Sequence, residues 1–510
     1  MHVRRGFIVV AALAAAAWVV PAPAGADVDN EVRVSGVPSV ARTFDGPAAV
    51  VDPANDDNVF VASADLLANT CHIFRSTDGG ESFTELDGPD FRADSDCGLN
   101  KGGIPQNQRM ELTFDQEGVL YWVLAVANPA QHGARSVVLA RSSDQGDTWS
   151  TTTVAPAQTP ATPQDAVANF VPDVFVSPNG SAPRTVWVSW RRSYTEASEK
   201  PTEAWAAKST DGGQTFGAEF RAMDKDPGFD SPRIVEDAEG TVYWFQRERP
   251  ASGAEGEPPK PSPLLMARST DGGTTWTPGE VGQEDVVMEE PLAAVSPDGR
   301  VLYLAWADGR NGDLDVFFMR SSDGGETWSE PLRVNDDPEG NKKTQKWPRM
   351  SVAANGRIDL AWYDYRHDAA DTPEDDVEFY LGDTNDVYLA SSDDGGQSFG
   401  ENVRMTANSI DRTLGTYNVQ YFVEVPPALG SGSEGAYVAW SDTRLGNADS
   451  SAQDIFGAVG EAGDDDSSAR VLVLAIEIAV IVVGLVLLAI GARRRRGGGE
   501  AGPALSAGAT

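Results

Sequence analysis

At five places in this 510-residue chain, one residue lies seven positions before a glycine that is typical of a tight turn, and four of these five residues are charged. Together with one residue two places upstream, this position gives Arg109, Glu111, Asp173, Arg233, Leu292 and Arg349. An arginine guanidinium binds a carboxylate through two parallel hydrogen bonds, and a positioned carboxyl group can transfer protons. The pattern therefore predicts a polar site, and three uses stay open: ligand binding, catalysis, or ion pairs that only stabilise the fold.

Six near copies of one motif define the elements that must position this site. They begin as "RSTDGGESF" at 75 and continue as "RSSDQGDTW", "KSTDGGQTF", "RSTDGGTTW", "RSSDGGETW" and "SSDDGGQSF". The aspartates of the six copies are Asp78, Asp144, Asp211, Asp271, Asp323 and Asp394. Between copies, four short runs rich in Val, Leu, Phe, Tyr and Trp are separated by Gly, Asp, Asn and Pro, which predicts four antiparallel strands per repeat.

Repeated four-stranded units predict an all-β propeller, because each small sheet can bury its faces only against its neighbours around a closed ring. After the sixth motif the chain holds three more strand-like runs, and "NEVRVSGV" near the N-terminus is similar to the fourth-strand runs "EPLRVND" and "ENVRMTAN". We therefore expect seven blades, with residues 30–37 supplying the missing outer strand of the last one. A six-bladed ring with an extra hairpin is the alternative.

The motif itself is expected to hold a turn rather than to catalyse a reaction. Its two glycines permit positive φ, and a short carboxylate can accept hydrogen bonds from backbone N–H groups. The closing Trp or Phe is expected to fill the wedge between neighbouring sheets. The turns that carry the motif share one face of the ring, so the opposite face, with its longer loops, is where a site is expected.

The pattern S-x-D-x-G-x-[ST]-[WF] resembles the Asp-box, or BNR, repeat of the sialidase superfamily. In sialidases three arginines hold the substrate carboxylate, a tyrosine activated by a glutamate is the nucleophile, and an aspartate acts as acid or base. The resemblance implies Arg109, Arg233 and Arg349 as the clamp, Tyr421 as nucleophile, Glu111 as its base and Asp173 as the acid. The F/Y-R-I-P motif that supplies the first arginine in that family is absent from this chain.

The two ends of the chain predict a membrane-anchored extracellular protein. Residues 1–26 match a cleavable secretory signal, residues 471–492 are apolar for the length of a membrane-spanning helix, and "RRRR" follows at 493–496. We expect a propeller over 27–459, an acidic stalk over 460–470 and a cytoplasmic tail over 493–510. Glu477, inside the apolar run, is expected to reach the membrane interface or to pair with another helix.

The formal charge of −37 disfavours nucleic acid as a partner. The two cysteines, Cys71 and Cys97, predict a structural disulfide in an extracellular protein. No cofactor is expected, although the carboxylates of "DAADTPEDD" and "GDTND" could bind calcium.

A second pattern, W-x-D-x-R, occurs at Trp306, Trp362 and Trp440, and its recurrence favours an ion pair between neighbouring blades. The expected function is recognition of a glycan or a cell-surface protein; exo-α-sialidase or related glycoside hydrolase activity and a non-enzymatic scaffold are the alternatives.

Overall fold

The computed structural model describes most of the chain between residues 31 and 461. The described ranges are 31–36, 43–89, 109–127, 135–158, 167–180, 183–194, 201–228, 230–248, 263–281, 290–372, 382–415, 425–446 and 453–461. Within these ranges the regular secondary structure is all β, in 28 strands and no helix. The all-β prediction is confirmed.

We group the strands into units by chain order and hydrogen bonding. Unit one contains β2 (Phe44–Asp52), β3 (Asn55–Asp65), β4 (Thr70–Ser76) and β5 (Thr84–Leu86). Unit two contains β6 (Glu111–Phe114), β7 (Leu120–Ala127), β8 (Arg135–Ser142) and β9 (Ser150–Ala155). Unit three contains β10 (Val167–Val176), β11 (Val186–Tyr194) and β12 (Glu203–Ser209).

The later units follow the same plan. Unit four contains β13 (Arg233–Glu236), β14 (Val242–Arg247), β15 (Leu264–Ser269) and β16 (Thr277–Glu280). Unit five contains β17 (Leu292–Val295), β18 (Leu302–Asp308), β19 (Asp315–Ser321) and β20 (Leu332–Arg333). Unit six contains β21 (Gln345–Val352), β22 (Ile358–Asp364), β23 (Thr384–Ser392), β24 (Val403–Arg404) and β25 (Ile410–Asp411). Unit seven contains β26 (Ala428–Ser431), β27 (Gly435–Asp442), β28 (Asp454–Glu461) and, from the start of the chain, β1 (Val32–Arg33).

Consecutive strands within each unit pair antiparallel, and one parallel bridge between β8 and β10 joins units two and three into a single sheet. The first strands contact one another in cyclic order: β2, β6, β10, β13, β17, β21, β26 and again β2. Second strands such as β14, β18 and β22 are buried at every residue, because both faces of the sheet are covered by neighbouring units. This explains why their sequences lack the alternation of a half-exposed strand.

The hydrophobic core lies between the units rather than within them. The described residues form seven buried clusters, and each combines side chains from two neighbouring units. The aromatic residue that closes each motif packs against one of six of these clusters; these residues are Phe83, Trp149, Phe216, Trp276, Trp328 and Phe399. The predicted wedge-filling role agrees with these contacts.

The first strand of the chain pairs with the last. Val32 lies opposite Gly457, and Arg33 lies opposite Phe456. Arg33 is ion-paired to Asp454, and the Ser35 hydroxyl donates to the same carboxylate at 3.0 Å. This is the pairing predicted for residues 30–37. Strand β28 continues to Glu461, two residues beyond the predicted boundary at 459.

The similarity of "NEVRVSGV" to other fourth-strand runs has a chemical reason. In unit six, Arg404 and Thr406 bind Asp386 on the third strand at 2.7 and 2.8 Å, as Arg33 and Ser35 bind Asp454. A basic residue followed two places later by a polar one therefore satisfies a buried aspartate on the neighbouring strand. The N-terminal strand carries the same pair of residue types.

Each motif aspartate lies in its own turn and accepts hydrogen bonds from it. Asp323, for example, accepts from the Ser321 hydroxyl at 2.8 Å and from the Thr327 N–H at 2.9 Å. Equivalent hydroxyl bonds reach the other five aspartates at 2.6 to 2.8 Å. The second glycine also permits a close approach: a Cβ at Gly273, where φ is +88°, would lie 2.6 Å from the Trp187 ring.

The basic residue that opens a motif joins it to the next one. Arg75, Lys208 and Arg320 each donate to a backbone carbonyl in the following motif. The acceptors are Gln145 at 2.9 Å, Gly272 at 2.9 Å and Gly395 at 3.1 Å. Arg141 makes the same bond to Gly212 at 3.4 Å. The turns on this face are therefore linked from unit to unit.

Several predictions concern residues outside the described part of the chain. These are the signal at 1–26, the stalk after Glu461, the apolar run at 471–492 with Glu477, the tail at 493–510, and Cys97 as partner of Cys71. They stay predictions. In the described ranges no helix has the length and apolar character needed to cross a membrane.

Candidate functional site

A cavity of about 140 Å³ lies where the first strands of all seven units meet. Its lining includes one equivalent residue from each unit: Ala48, Glu111, Asp173, Arg233, Leu292, Arg349 and Ala428. Six of these positions lie seven residues before a glycine, which is the spacing predicted for five of them. The structure therefore brings Glu111, Asp173, Arg233 and Arg349 together, although they are far apart in sequence.

A proline precedes the equivalent residue in six of the seven units, at positions 47, 172, 232, 291, 348 and 427. The first strand is an edge strand of its unit, and β10, which is bridged to β8, has that bridge at Ala168 and not at its proline. An N–H at the proline position would therefore have no ladder partner. Proline lacks that N–H, and edge strands are where sheets tolerate it. The sequence signal X-Pro followed by the lining residue therefore marks the inner edge of each unit.

Bulges in two first strands aim charged side chains at the cavity. Val171 and Trp347 have positive φ, 49° and 50°, and each is followed by proline and then by the charged residue, Asp173 or Arg349. The strand register shifts at the same places. A bulge of this kind re-aims a side chain, and positive φ is strained for a β-branched or bulky residue. The Val171 carbonyl accepts a hydrogen bond from Ser231, which holds one bulge in place.

The charged residues at the cavity form one alternating row. Arg349 Nη1 lies 2.8 Å from Glu111 Oε1, and Arg233 Nη1 lies 2.7 Å from Asp173 Oδ1. Arg233 Nη2 lies 2.8 Å from Glu290 Oε1, and the other Glu290 oxygen is ion-paired to Arg109. Three guanidinium groups thus face three carboxylates, and the formal charges balance.

Burial perturbs the protonation of this row. Burial, followed by the negative charge of Glu111, raises the pKa of Asp173. Burial also lowers the pKa of Arg349, and burial together with the positive charge of Arg349 lowers the pKa of Arg109 to about 9. The free energy of each charge therefore depends on its neighbours, so removing one member leaves another uncompensated.

Sequence reasoning missed Glu290 and the lining position of unit seven. Glu290 precedes Leu292 by two residues, as Arg109 precedes Glu111, so the same rule would have found it. The equivalent position in unit seven is Ala428, seven residues before Gly435. Tyr421 lies outside the described residues, and its role as nucleophile stays a prediction.

The W-x-D-x-R pattern forms a local network. In unit six, Asp364 accepts hydrogen bonds from the Trp362 indole at 3.0 Å and from Arg366 Nη2 at 2.8 Å. Units five and seven repeat both contacts. This contact is not the predicted ion pair between neighbouring units, because the aspartate and arginine belong to one motif. Arg366 also reaches Asp336, after the last strand of unit five, at 2.7 Å.

No metal site is recognisable in the described ranges, where no three His, Cys, Asp or Glu side chains are grouped so as to hold an ion. Of the acidic segments named above, residues 373–381 lie outside those ranges. Asp386 accepts hydrogen bonds from Arg404 and Thr406. Calcium binding by these segments stays a prediction.

Comparison with solved structures gives distant similarities. A protein of unknown function from Dyadobacter fermentans DSM 18053 is 14% identical over 86% of this chain and 99% of its own, with a TM-score of 0.46. The Hadza microbial sialidase Hz136 is 14% identical over 79% of this chain and 73% of its own, with a TM-score of 0.42. The phage phi92 endosialidase is 9% identical over 86% of this chain and 70% of its own, with a TM-score of 0.43.

A comparison with curated protein sequences gives no significant match. The family model of the BNR repeat-like domain matches residues 105–360, which is half of the chain. The matched segment contains four of the six motifs and all the charged residues of the cavity. This chain belongs to the BNR repeat-like family.

Proposed function

We propose that this protein is a membrane-anchored extracellular propeller with seven blades that binds a glycan at the row of charged residues in its central cavity. The observation that carries the proposal is a cavity lined by one strand from every unit and by four charged residues, Glu111, Asp173, Arg233 and Arg349. Ion pairs with Glu290 and Arg109 extend these four into a row of three arginines and three carboxylates. Function in such folds has to be argued from the site, because the same fold serves enzymes and binding proteins.

The blade number is supported by contacts made independently of the site. The first strands touch in a cyclic order of seven, and a buried cluster lies between each neighbouring pair of units. Strand β1 completes unit seven by pairing with β28. A six-bladed ring with an extra hairpin would leave unit seven outside this cycle.

The charge balance favours binding of sugar hydroxyls over capture of an anion. Each arginine already has a carboxylate partner, so a substrate carboxylate would have to displace one. A hydroxyl both donates and accepts hydrogen bonds, and alternating guanidinium and carboxylate groups offer it donors and acceptors side by side. Sites that bind sugars use a small number of such precisely placed polar groups.

The cellular location rests on the sequence of the two ends. A signal-like segment at 1–26 and an apolar run at 471–492 followed by four arginines support a single-pass protein with its propeller outside the cell. The formal charge of −37 is compatible with an exposed, soluble outer domain.

A glycan array tests the proposal directly. We would immobilise the full-length chain in detergent, screen it against the array, and assay fluorogenic sialosides in parallel. We expect the wild type to bind the array without hydrolysing the sialosides. Arg233→Ala and Arg349→Ala are expected to abolish the array binding. Arg184→Ala is the matched control, because Arg184 pairs with Glu117 at 2.6 Å in a turn that is not part of the cavity lining. No signal on the array would contradict the proposal.

Hydrolysis is the second candidate, and one observation favours it. Glu111, Asp173, Arg233 and Arg349, to which the resemblance gives catalytic or clamping roles, line one cavity. Turnover of a sialoside that is lost in Arg233→Ala and Arg349→Ala but kept in Arg184→Ala would establish exo-α-sialidase activity in place of simple binding. No binding on the array and no turnover of the sialosides would favour a non-enzymatic scaffold function.

A further inference from the structure

Glu290 is held between two arginines in the way that a bound carboxylate ligand would be. One carboxylate oxygen lies 2.8 Å from Arg233 Nη2, and the other is ion-paired to Arg109. The side chains of Glu290, Arg109 and Arg233 are 8, 7 and 7% exposed, so water screens these charges little. A carboxylate that bridges two guanidinium groups satisfies both of them at once.

The position of Glu290 in the chain explains how it reaches this place. It precedes Pro291 and the first residue of β17, Leu292, which lines the cavity. Glu290 therefore lies just before the start of β17, next to the cavity-lining position. Two residues before its lining residue, unit five thus contributes a carboxylate where unit two contributes Arg109.

We propose that Glu290 is an internal ligand that occupies the carboxylate place between Arg109 and Arg233 and makes the site select neutral over acidic sugars. The inference rests on the proposed glycan-binding function and names the class of ligand. An acidic sugar would bring a fourth carboxylate to Glu111, Asp173 and Glu290 against only three arginines, and like charges in a buried site repel strongly.

Removing the Glu290 side chain should open a carboxylate site. In Glu290→Ala the row keeps three arginines but only two carboxylates, and a cavity the size of a small acid is left beside Arg109 and Arg233. Sodium acetate should enter this cavity and restore the lost contacts. We expect a saturable rise in unfolding temperature of about 1–3 °C at ten times the dissociation constant of acetate, measured on the full-length chain in detergent against chloride at equal ionic strength.

Two controls separate this effect from general salt effects. Glu117→Ala removes a carboxylate that pairs with Arg184 outside the cavity lining, and it should show no saturable response to acetate. Glu290→Gln keeps the volume of the side chain and should exclude acetate. An acetate response of equal size in the wild type, or none in Glu290→Ala, would overturn the proposal.

A pair of matched sugars tests selectivity itself. Methyl glucoside and methyl glucuronide differ only at C6, where the first has a hydroxymethyl group and the second a carboxylate. Calorimetry should show that the wild type binds the glucoside at least about tenfold more tightly. In Glu290→Ala this preference should reverse. If the wild type binds neither sugar while Glu290→Ala still takes up acetate, the glycan-binding function and the selectivity fail, and only the occupation of the carboxylate place by Glu290 stands. If sugars bind but the preference is unchanged in the variant, the role of Glu290 fails alone.

Glu290→Asp keeps the inference testable if the alanine variant does not fold. The shorter side chain retains the charge but cannot span both guanidinium groups equally well. The preference of this variant for the glucoside over the glucuronide should be weaker than that of the wild type but should not vanish. An unchanged preference would count against the proposal.

Discussion

Ser391 donates a hydrogen bond from its hydroxyl to the Asp359 carboxylate at 2.6 Å, at the place where the other five motifs have an arginine or lysine. Four of those basic residues bond to the backbone of the next motif, and Arg268 reaches Glu326 of the next motif at 3.6 Å. Unit seven has no motif, so the sixth copy has no following motif whose backbone carbonyl it could bond. A serine at this place is therefore consistent with the basic residues serving to link successive motifs.

Replacing Arg320 with methionine tests this link. Arg320→Met keeps the apolar stem but removes the hydrogen bond to the Gly395 carbonyl, and we expect the free energy of unfolding to fall by about 1–2 kcal/mol. Denaturant unfolding followed by tryptophan fluorescence measures it. Ser391→Arg should give no gain, and a gain equal to the loss in Arg320→Met would contradict the explanation.

The motif aspartates should contribute to acid resistance. Hydrogen bonds, first from the Thr215 hydroxyl, lower the pKa of Asp211 from 3.8 to about 2. Because the folded pKa lies below the unfolded value, this contribution is present above about pH 4 and disappears as the pH falls towards 2. We expect Asp211→Ala to unfold at a lower temperature than wild type at pH 5, with the difference closing by pH 2. Unfolding temperatures measured across this range decide it, and a constant difference would be the contrary result.

Asp45 should have the opposite effect. It is 1% exposed at the contact between units one and seven, where its Oδ1 accepts the Ser441 hydroxyl at 2.8 Å. Burial raises its pKa from 3.8 to about 6, and among the described residues its Oδ2 has no hydrogen-bond partner. The penalty is absent below pH 3.8 and complete above pH 6, so Asp45→Asn should gain about 3 kcal/mol relative to wild type across that window. Denaturant unfolding at pH 4 and pH 7 measures the change; a pH-independent difference would exclude it.

Arg135 should be replaceable with a gain in stability. It is fully buried, it lies 4.9 Å from the Phe170 ring, and in the described structure its three guanidinium nitrogens have no hydrogen-bond partner. We expect Arg135→Met to raise the free energy of unfolding by about 1–2 kcal/mol, because a buried uncompensated charge is costly.

Arg192 is the control for this prediction. It is also buried, but it is bonded to Asn169 at 3.0 Å and to Glu219 at 2.8 Å. Arg192→Met should therefore lower the free energy of unfolding in the same chemical denaturation experiment. A loss of stability in both variants would show that Arg135 is compensated.

Local sequence was sufficient to predict the strands, the turns and the inner edge of most units. The motif and the glycine seven residues after each lining position are local signals, which is why Glu111, Asp173, Arg233 and Arg349 were found. Glu290 carried the same signal and was overlooked. In unit seven, Gly435 marks Ala428 by the same spacing.

The partners of the charged residues could not be predicted. Arg109 and Glu290 are 181 residues apart, and their pairing depends on how units two and five face each other across the cavity. The bulges at Val171 and Trp347 are equally hidden, because nothing local distinguishes a strained X-Pro step from an extended one. Side-chain direction in the assembled structure decides both.

The pairing of β1 with β28 determines when this protein can finish folding. Arg33 is made near the start of synthesis, and its partner Asp454 is made 421 residues later. Until then, unit seven lacks its outer strand and unit one lacks one of its two neighbours. Because long-range closure of this kind is slow, the incomplete chain exposes a strand edge until β28 is made and pairs with β1. A chain that ends before residue 454 would therefore lack the pairing between β1 and β28.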